Sequence, residues 1–294
     1  MDKITLLAPA KLNLTLDITG LLPNDYHALD STMVSIDLCD TLTLSRTGSG
    51  VRLACDDPYL PAGRDNLIIK AATAFFLATG IQPGGLEMSL SKQIPTQAGL
   101  AGGSADAAAA LVGLNHLYAT GLSDSALAEI GLTVGSDIPF CLMGGMARVN
   151  GQGELLAPLS IPPGEAVFLI AKPARGVSTR DAFAQYDRLN QKPPPQTDAM
   201  LTALSAGRWE DVGPAMSNGF EAAVPVPEVS EIKAAIQSHD CLGVCMTGSG
   251  SAVAGLFPDV DTASGCLEHL GDRWPFVCLA RPVDHGAKIL ADPV

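Results

Sequence analysis

The sequence predicts an α+β fold of two lobes, an N-terminal lobe over 1–155 and a C-terminal lobe over 156–294. Two observations carry this. Strand-like segments cluster and helix-like segments follow, without a regular βαβ alternation, and the texture of the chain changes after Gly153. The 294 residues suffice for one large domain or two of ordinary size. With 47% hydrophobic and 17% charged residues the chain is globular. Aromatics make up only 5%, so Ala, Leu and Val must fill a core of closely packed helices and sheets.

The elements follow in order. Lys11–Ile18 alternates Leu12, Leu14, Leu16 and Ile18 with Asn13, Thr15 and Asp17, the pattern of a half-buried strand. Thr41–Arg46 and Val51–Ala54 read as strands joined by a turn at Gly48–Gly50. Asn66–Ala78 reads as a helix capped by Asp65 or Asn66 and stopped by Gly80. Leu86–Ser91 is an alternating strand, followed by a glycine-rich loop and an alanine-rich helix from about Ser104 to Tyr118. Ser123–Leu132 is a helix with Ser123 as cap. Beyond Gly153, Ala166–Ala171 is a short buried strand and Lys192–Gln196, with three prolines, is a loop. Glu228–Gln237 is a helix, and Cys241–Met246 and Ala252–Phe257 flank a tight turn at 248–251. A helix at Thr262–Leu270 and a strand at Pro275–Ala280 complete the pattern.

Charge and cysteine content exclude several classes. The formal net charge is −13 and no basic stripe is visible, which argues against nucleic acid, since phosphate contacts need clustered Lys and Arg. An anionic ligand would be held by a few placed groups. The seven cysteines (39, 55, 141, 241, 245, 266 and 278) form no Cys-x-x-Cys pair and read as small hydrophobes in a reducing compartment. Residues 1–20 lack a basic start followed by an apolar run, and no apolar stretch is long enough to span a bilayer. The expectation is a cytoplasmic protein without a membrane partner. His116, His239, His269 and His285 show no ligand spacing. Oligomeric state has no signature in these patterns.

The most informative segment is Pro95-Thr96-Gln97-Ala98-Gly99-Leu100-Ala101-Gly102-Gly103-Ser104-Ala105, between a strand and a helix. Glycines at 99, 102 and 103 permit positive φ and close backbone approach. Successive N–H groups can then face one concavity, with Ser104 opening the helix and its positive end turned the same way. This arrangement suits a polyphosphate, and the Ser104 hydroxyl suits a phosphate or a magnesium ion. The spacing is neither that of a P-loop nor that of a dinucleotide fingerprint. Taken alone, a flexible turn before a helix explains the segment equally well.

Two further segments shift the balance. Together with Ala8-Pro9-Ala10-Lys11-Leu12-Asn13-Leu14 and Met246-Thr247-Gly248-Ser249-Gly250-Ser251-Ala252, the loop resembles the three ordered motifs of the galactokinase/homoserine kinase/mevalonate kinase (GHMP) superfamily. Asp25-Tyr26-His27-Ala28-Leu29 and Gly135-Ser136-Asp137-Ile138-Pro139-Phe140 narrow the resemblance to kinases whose acceptor carries a cytidine diphosphate. It runs from Ala8 to about Phe257. It departs at Asn24-Asp25, where the family commonly has Asp-Gly, and at Ser251-Ala252, where related kinases often carry Pro-Thr.

The resemblance implies a two-lobed GHMP-kinase-like fold with its site in the cleft, and phosphorylation of a small alcohol by ATP with Mg2+. It makes Asp137 the general base and Lys11 a cation beside it. On the residues alone Asp137 is a helix cap and Lys11 a snorkelling edge residue. The glycine loop would hold ATP phosphates, with Asn66 and Lys92 on the adenosine side and Ser104 toward the metal. Tyr26 would stack on the cytosine, His27 would bond its edge, and Phe183 or Tyr186 would complete the base site. Asn13, Thr247, Gly248 and Ser249 would line the acceptor. The alternatives are a homoserine- or mevalonate-type kinase, whose acceptors lack a nucleobase for Tyr26-His27, and a non-catalytic nucleotide-binding regulator, against which Lys11 and Asp137 both speak.

Overall fold

The alternation around Leu12, Leu14 and Leu16 belongs to a much longer strand, β1 (Lys3–Leu21), which pairs antiparallel with β2 (His27–Thr47) in a computed structural model that describes residues 2–48, 50–161 and 166–290. Leu6, Leu12 and Leu14 are fully buried in the main core. β3 (Gly50–Cys55) and β4 (Gly85–Ser91) extend the sheet, with β4 inserted between β2 and β3. The strands expected on either side of 48–50 therefore exist but are not neighbours; Ser49, inside that turn, lies outside the described residues. The cause is α1 (Leu67–Thr79): it is the crossover that a parallel β3–β4 pair requires. Asn66 caps α1 by accepting the Ile68 N–H at 2.9 Å, and Gly80 ends it at φ 68°.

Behind this sheet lie α2 (Gly102–Leu117), α3 (Asp124–Leu132) and α4 (Ile138–Met143). Ala105 and Ala107 to Ala110 are all fully buried, so small side chains let α2 approach the sheet closely. A Cβ on Gly113 would sit 2.9 Å from both Leu6 and Leu44. β5 (Met146–Gly151) continues along β2, and β6 (Leu155–Pro158) pairs with it.

The second lobe is built on β7 (Val167–Lys172), followed by α5 (Thr179–Tyr186), α6 (Thr197–Ser205), α7 (Trp209–Val212) and the short β8 (Ser217–Asn218). Then come α8 (Pro227–Gln237), β9 (Gly243–Met246), β10 (Val253–Phe257), α9 (Val260–Leu270), β11 (Phe276–Ala280) and β12 (Lys288–Ile289). Its antiparallel sheet has the order β11-β7-β10-β9. Val167 and Leu169 join the cluster under α8 and α9, while Phe168 and Ile170 join the core that holds α2. Burial on both faces explains why this strand is an unbroken apolar run.

The chain returns to the first sheet twice. β8 pairs parallel with β1 at Thr15↔Ser217. Further on, Pro282 bridges to Ile36, the Ala287 N–H donates to the Cys141 carbonyl at 2.8 Å, and β12 pairs with β1 at Leu6↔Ile289. Gly144, at φ 69°, lets this returning segment pass: any Cβ there would collide with the backbone of His285 and Gly286. All seven cysteines are free thiols. Among the described residues no helix is long and apolar enough to cross a membrane.

Candidate active site

The three motifs meet at Asn13, on β1. Its side-chain oxygen accepts from the Lys11 ammonium and from the Gly248 N–H at 3.1 Å, and its amide donates to Ser31 Oγ at 2.7 Å. Its backbone N–H donates to Thr247 Oγ1 at 3.0 Å, and that hydroxyl donates in turn to the Gly99 carbonyl at 3.3 Å. The Lys11 ammonium donates to the same Gly99 carbonyl at 2.9 Å. Strand, glycine loop and the tight turn after β9 are thus joined by polar bonds in a water-excluded place, where such bonds are strong and fix direction. Gly99 has φ 76° and Gly248 φ 55°. A Cβ on Gly248 would lie 2.6 Å from the Gly99 oxygen, so both positions need glycine for close approach. Asn218 Nδ2 donates to the Met246 and Gly248 carbonyls at 2.7 and 2.8 Å and holds the turn from the far side.

In the glycine loop, positive φ occurs at Gln97 (51°), Gly99 (76°) and Ala101 (56°). Gly102 and Gly103, expected to need it, are helical instead. They are small because space is short: a Cβ would meet Ile94 Cγ2 at 2.9 Å from Gly102, and Leu67 Cδ1 at 3.2 Å from Gly103. The helix begins at Gly102, so Ser104 is its third residue and does not open it. The first intrahelical bond runs from the Ala105 N–H to the Ala101 carbonyl at 2.9 Å. The N–H groups of Gly102, Gly103 and Ser104 have no protein acceptor among the described residues, and Ala101 offers no side-chain cap. Three unspent donors at a positive helix end make a cradle suited to an anion. Ala98 and Leu100 anchor the loop in the core, Pro95 is half-buried, and Thr96 and Gln97 are exposed, the latter packed on Gly176.

Asp137 precedes α4, whose first turn contains Pro139. It takes φ −81° and ψ −13° and makes no capping bond, so the helix-cap reading fails for its side chain. The half-buried carboxylate has no hydrogen-bond partner among the described residues. Lys11 and Asp137, expected side by side, form no ion pair within 4.0 Å; the ammonium gives two of its three N–H groups to Asn13 and Gly99. They still sense each other. Burial lowers the Lys11 pKa, and the charge of Asp137 opposes that shift. The neighbouring Cys141 thiol is pushed up by burial and stays protonated. The Ser104 hydroxyl lies 3.9 Å from the point a Gly135 Cβ would occupy, which sets the helix start against the Asp137 turn.

On the acceptor side, Tyr26 is 62% exposed. Its turn is closed by Leu22 N–H to the Tyr26 carbonyl at 2.7 Å, with Asp25 at φ 63°. Asp25 thus adopts the left-handed conformation that glycine favours. The Ser251 departure is accommodated too: its buried hydroxyl donates to the Arg175 carbonyl. His27 stacks on Phe183 at 4.3 Å and 17°, and its Nε2 meets Asp187 Oδ1 at 2.8 Å. Tyr186 is 1% exposed, donates to the Ile18 carbonyl at 3.2 Å and packs edge-on against Phe220. It borders a separate cavity of about 260 Å³ with Asp17, the prolines at 193–195 and Asn218. Of the two aromatics left open by spacing, only Phe183 shares a wall with His27. Ser249 Oγ lies 3.1 Å from Thr179 Oγ1 and ties the turn to α5.

The two adenosine-side candidates both have polar groups engaged within the protein. The Asn66 side chain is used in capping, with Nδ2 donating to the Pro61 carbonyl at 2.8 Å. Lys92 is buried between Asp40 and Asp106, its ammonium 2.9 Å from Asp106 Oδ2. Burial, reinforced by the charge of Asp40, pushes the Asp106 carboxyl up to about 8 against the pull of Lys92. Sequence reasoning missed Asp40, Asp106, Asn218 and Asp187. None of the four carries a local signal in the sequence.

Comparison with known proteins identifies the family. Residues 66–145 match the GHMP kinases N terminal domain and residues 200–275 the GHMP kinases C terminal model. Proteins named 4-diphosphocytidyl-2-C-methyl-D-erythritol kinase are similar over most of the chain. The one from Alkaliphilus oremlandii is 38% identical over 92% of this chain and 93% of its own. That from Pelotomaculum thermopropionicum is 42% identical over 88% and 91%. A crystal structure of 4-(cytidine 5'-diphospho)-2C-methyl-D-erythritol kinase superposes with TM-score 0.79 at 33% identity, over 95% of this chain and 99% of that one. Homoserine kinase from Cytophaga hutchinsonii, at 21% identity, TM-score 0.78 and coverage of 99% and 98%, shares the fold. On both family regions and on relatives that span nearly its whole length, the chain belongs to the 4-diphosphocytidyl-2-C-methyl-D-erythritol kinases of the GHMP superfamily.

Proposed function

We propose that this kinase transfers the γ-phosphoryl group of MgATP to the 2-hydroxyl of 4-diphosphocytidyl-2-C-methyl-D-erythritol, a step in non-mevalonate isoprenoid precursor synthesis. The observation that carries the reading is the convergence of a free carboxylate, Asp137, with a buried lysine, Lys11, beside the unspent N–H groups of Gly102, Gly103 and Ser104. The same reading takes 1–155 as the ATP-binding lobe and 156–294 as the lobe that brings Phe183 to the acceptor side, where Tyr26 and His27 of the first lobe also stand.

The three N–H groups bind the polyphosphate, and the loop from Pro95 to Ala101 carries them to it. The residues present fit a magnesium ion of the kind held mainly by substrate phosphates: Ser104 offers a hydroxyl, and no three-ligand cluster of His, Cys, Asp or Glu exists among the described residues. Bound magnesium supplies charge neutralisation at the phosphate oxygens. Asp137 accepts the proton of the acceptor hydroxyl. Lys11, held by Asn13 and Gly99, stabilises charge on the transferring oxygens. A cation near Asp137 also weakens it as a base, so positioning and electrostatics carry more of the rate than basicity does. Tyr26 covers one face of the cytosine, and the His27–Phe183 wall receives the other face and edge.

Tyr26→Ala tests the acceptor. Base–aromatic stacking is worth about 1–3 kcal/mol, so acceptor affinity falls about tenfold to hundredfold while ATP affinity holds. A cytidine-free analogue is a poor substrate of the parent and is indifferent to the change. If the variant loses ATP affinity, or the parent prefers an alcohol without a nucleobase, the cytidyl reading is wrong.

The pH profile tests Lys11. Burial favours the neutral amine, so the proton leaves below the ordinary lysine value of 10.5. Activity therefore falls on the alkaline side, below that value, as the ammonium is lost. In Lys11→Arg, whose guanidinium keeps its proton, that limb disappears from whatever activity remains. An alkaline limb unchanged in this variant removes Lys11 from the charge-stabilising role.

A further inference from the structure

We propose that Asp40 is a positioning residue for the phosphate loop and acts through Lys92. The inference rests on the reading of Pro95–Ala105 as the ATP loop. Asp40, on β2, is fully buried and grips both ends of that loop. At the entrance, its Oδ1 accepts the N–H groups of Gln93 and Ile94 at 2.6 and 2.9 Å, the two residues that precede Pro95. Toward the exit, its Oδ2 accepts the Lys92 ammonium, which donates a second bond to Asp106 Oδ2 at 2.9 Å on the first turns of α2. Entrance and exit also touch directly. A Cβ on Gly102 would lie 2.9 Å from Ile94 Cγ2 and 3.3 Å from the Lys92 ammonium.

The side chains of Lys92, Asp40 and Asp106 are 8%, 0% and 4% exposed. An ammonium so enclosed by the Asp40 carboxylate and the Asp106 carboxyl is engaged within the protein and does not reach out to a nucleotide. Buried charge networks are a poor source of stability compared with apolar packing. What such a network supplies is direction, because each bond is short and oriented. Here the direction fixed is that of the first turn of α2, whose three free N–H groups must aim at one place. The cradle is therefore set from beneath by a residue that touches neither substrate.

Asp40→Asn keeps the shape and the bonds to Gln93 and Ile94 but turns an amide donor toward Lys92, which breaks the link. The expected result is a KM for ATP raised about tenfold or more, with the KM for the acceptor within about twofold of the parent. Lys92→Met gives the same split, and the double variant is no worse than either single one, because linked residues act as one device. Lys92→Arg restores much of the ATP affinity. A parental KM for ATP in Asp40→Asn overturns the proposal, as does an equal rise in both constants. Multiplicative effects in the double variant overturn it too, since they would mean that Lys92 touches the nucleotide itself. If Asp40→Asn does not fold, as judged by its melting curve, Lys92→Met is read by the same criteria. Gly103→Val separates the two levels. If it raises the KM for ATP while Asp40→Asn does not, the clamp fails and the loop reading stands; if neither responds, the loop reading has failed and the clamp with it.

Discussion

Asp137→Asn leaves an enzyme that binds MgATP and acceptor as the parent does and turns over about 10²–10⁴-fold more slowly, the usual cost of losing a general base. The amide has the size and shape of the carboxylate but cannot take the hydroxyl proton. The geometry makes this a clean experiment. The Asp137 side chain caps no helix and makes no bond among the described residues, so no structural contact is lost with the charge. Its charge does act on Lys11, and the variant therefore lowers the Lys11 pKa further and deepens the defect at high pH. Isothermal titration of both ligands, with single-turnover kinetics, separates chemistry from binding. Near-parental turnover would remove Asp137 from the base role.

Gly99→Ala has the other large effect, by a steric route. The new Cβ would lie far inside the Thr247 carbonyl oxygen, 2.9 Å from the Thr247 carbonyl carbon and 3.1 Å from the Gly250 nitrogen. All are backbone atoms, so no side chain can swing away. Left-handed φ costs alanine about 1–2 kcal/mol, and overpacking costs about 1–3 kcal/mol more. Relief requires the loop and the turn to separate, which breaks the bonds from Lys11 and Thr247 to the Gly99 carbonyl. Misplacement of about 1 Å costs about 10²-fold in rate. A folded Gly99→Ala protein should thus melt lower and lose about 10²-fold in kcat/KM. Parental activity would mean that the contact between the two motifs is dispensable.

Much of the core was legible because it obeys short-range rules. The Asn66 and Ser123 caps, the Gly80 stop, the alanine face of α2 and the apolar run of β7 each stand at their expected places. Less legible was everything set by distant partners. Neither α5 nor α6 is longer than nine residues, too short to show a clear period. The insertion of β4 between β2 and β3 follows from a crossover, which no local pattern encodes. At the site the same division holds. Loop glycines and Asp137 stand in motifs, whereas Asp40 and Asn218 act on residues far along the chain and look like ordinary strand and loop polars. Of the two reasons expected for the loop glycines, positive φ holds at 99, while at 102 and 103 only the lack of room applies.

The return of the chain to β1 bears on the order of assembly during synthesis. β1 emerges from the ribosome first, yet its edge beside Leu6 stays unpaired until Ile289 has been made. The ledge under Asp137 waits as well, since α4 is bonded at Cys141 by the N–H of Ala287 and abutted at Gly144 by Gly286. Contacts so far apart in sequence close late, because the loop entropy must be met before they form. A nascent chain halted before residue 280 lacks both the strand that covers this edge and the segment that abuts α4. Completion of the site is therefore coupled to synthesis of the last residues of the second lobe and not to folding of the first sheet alone.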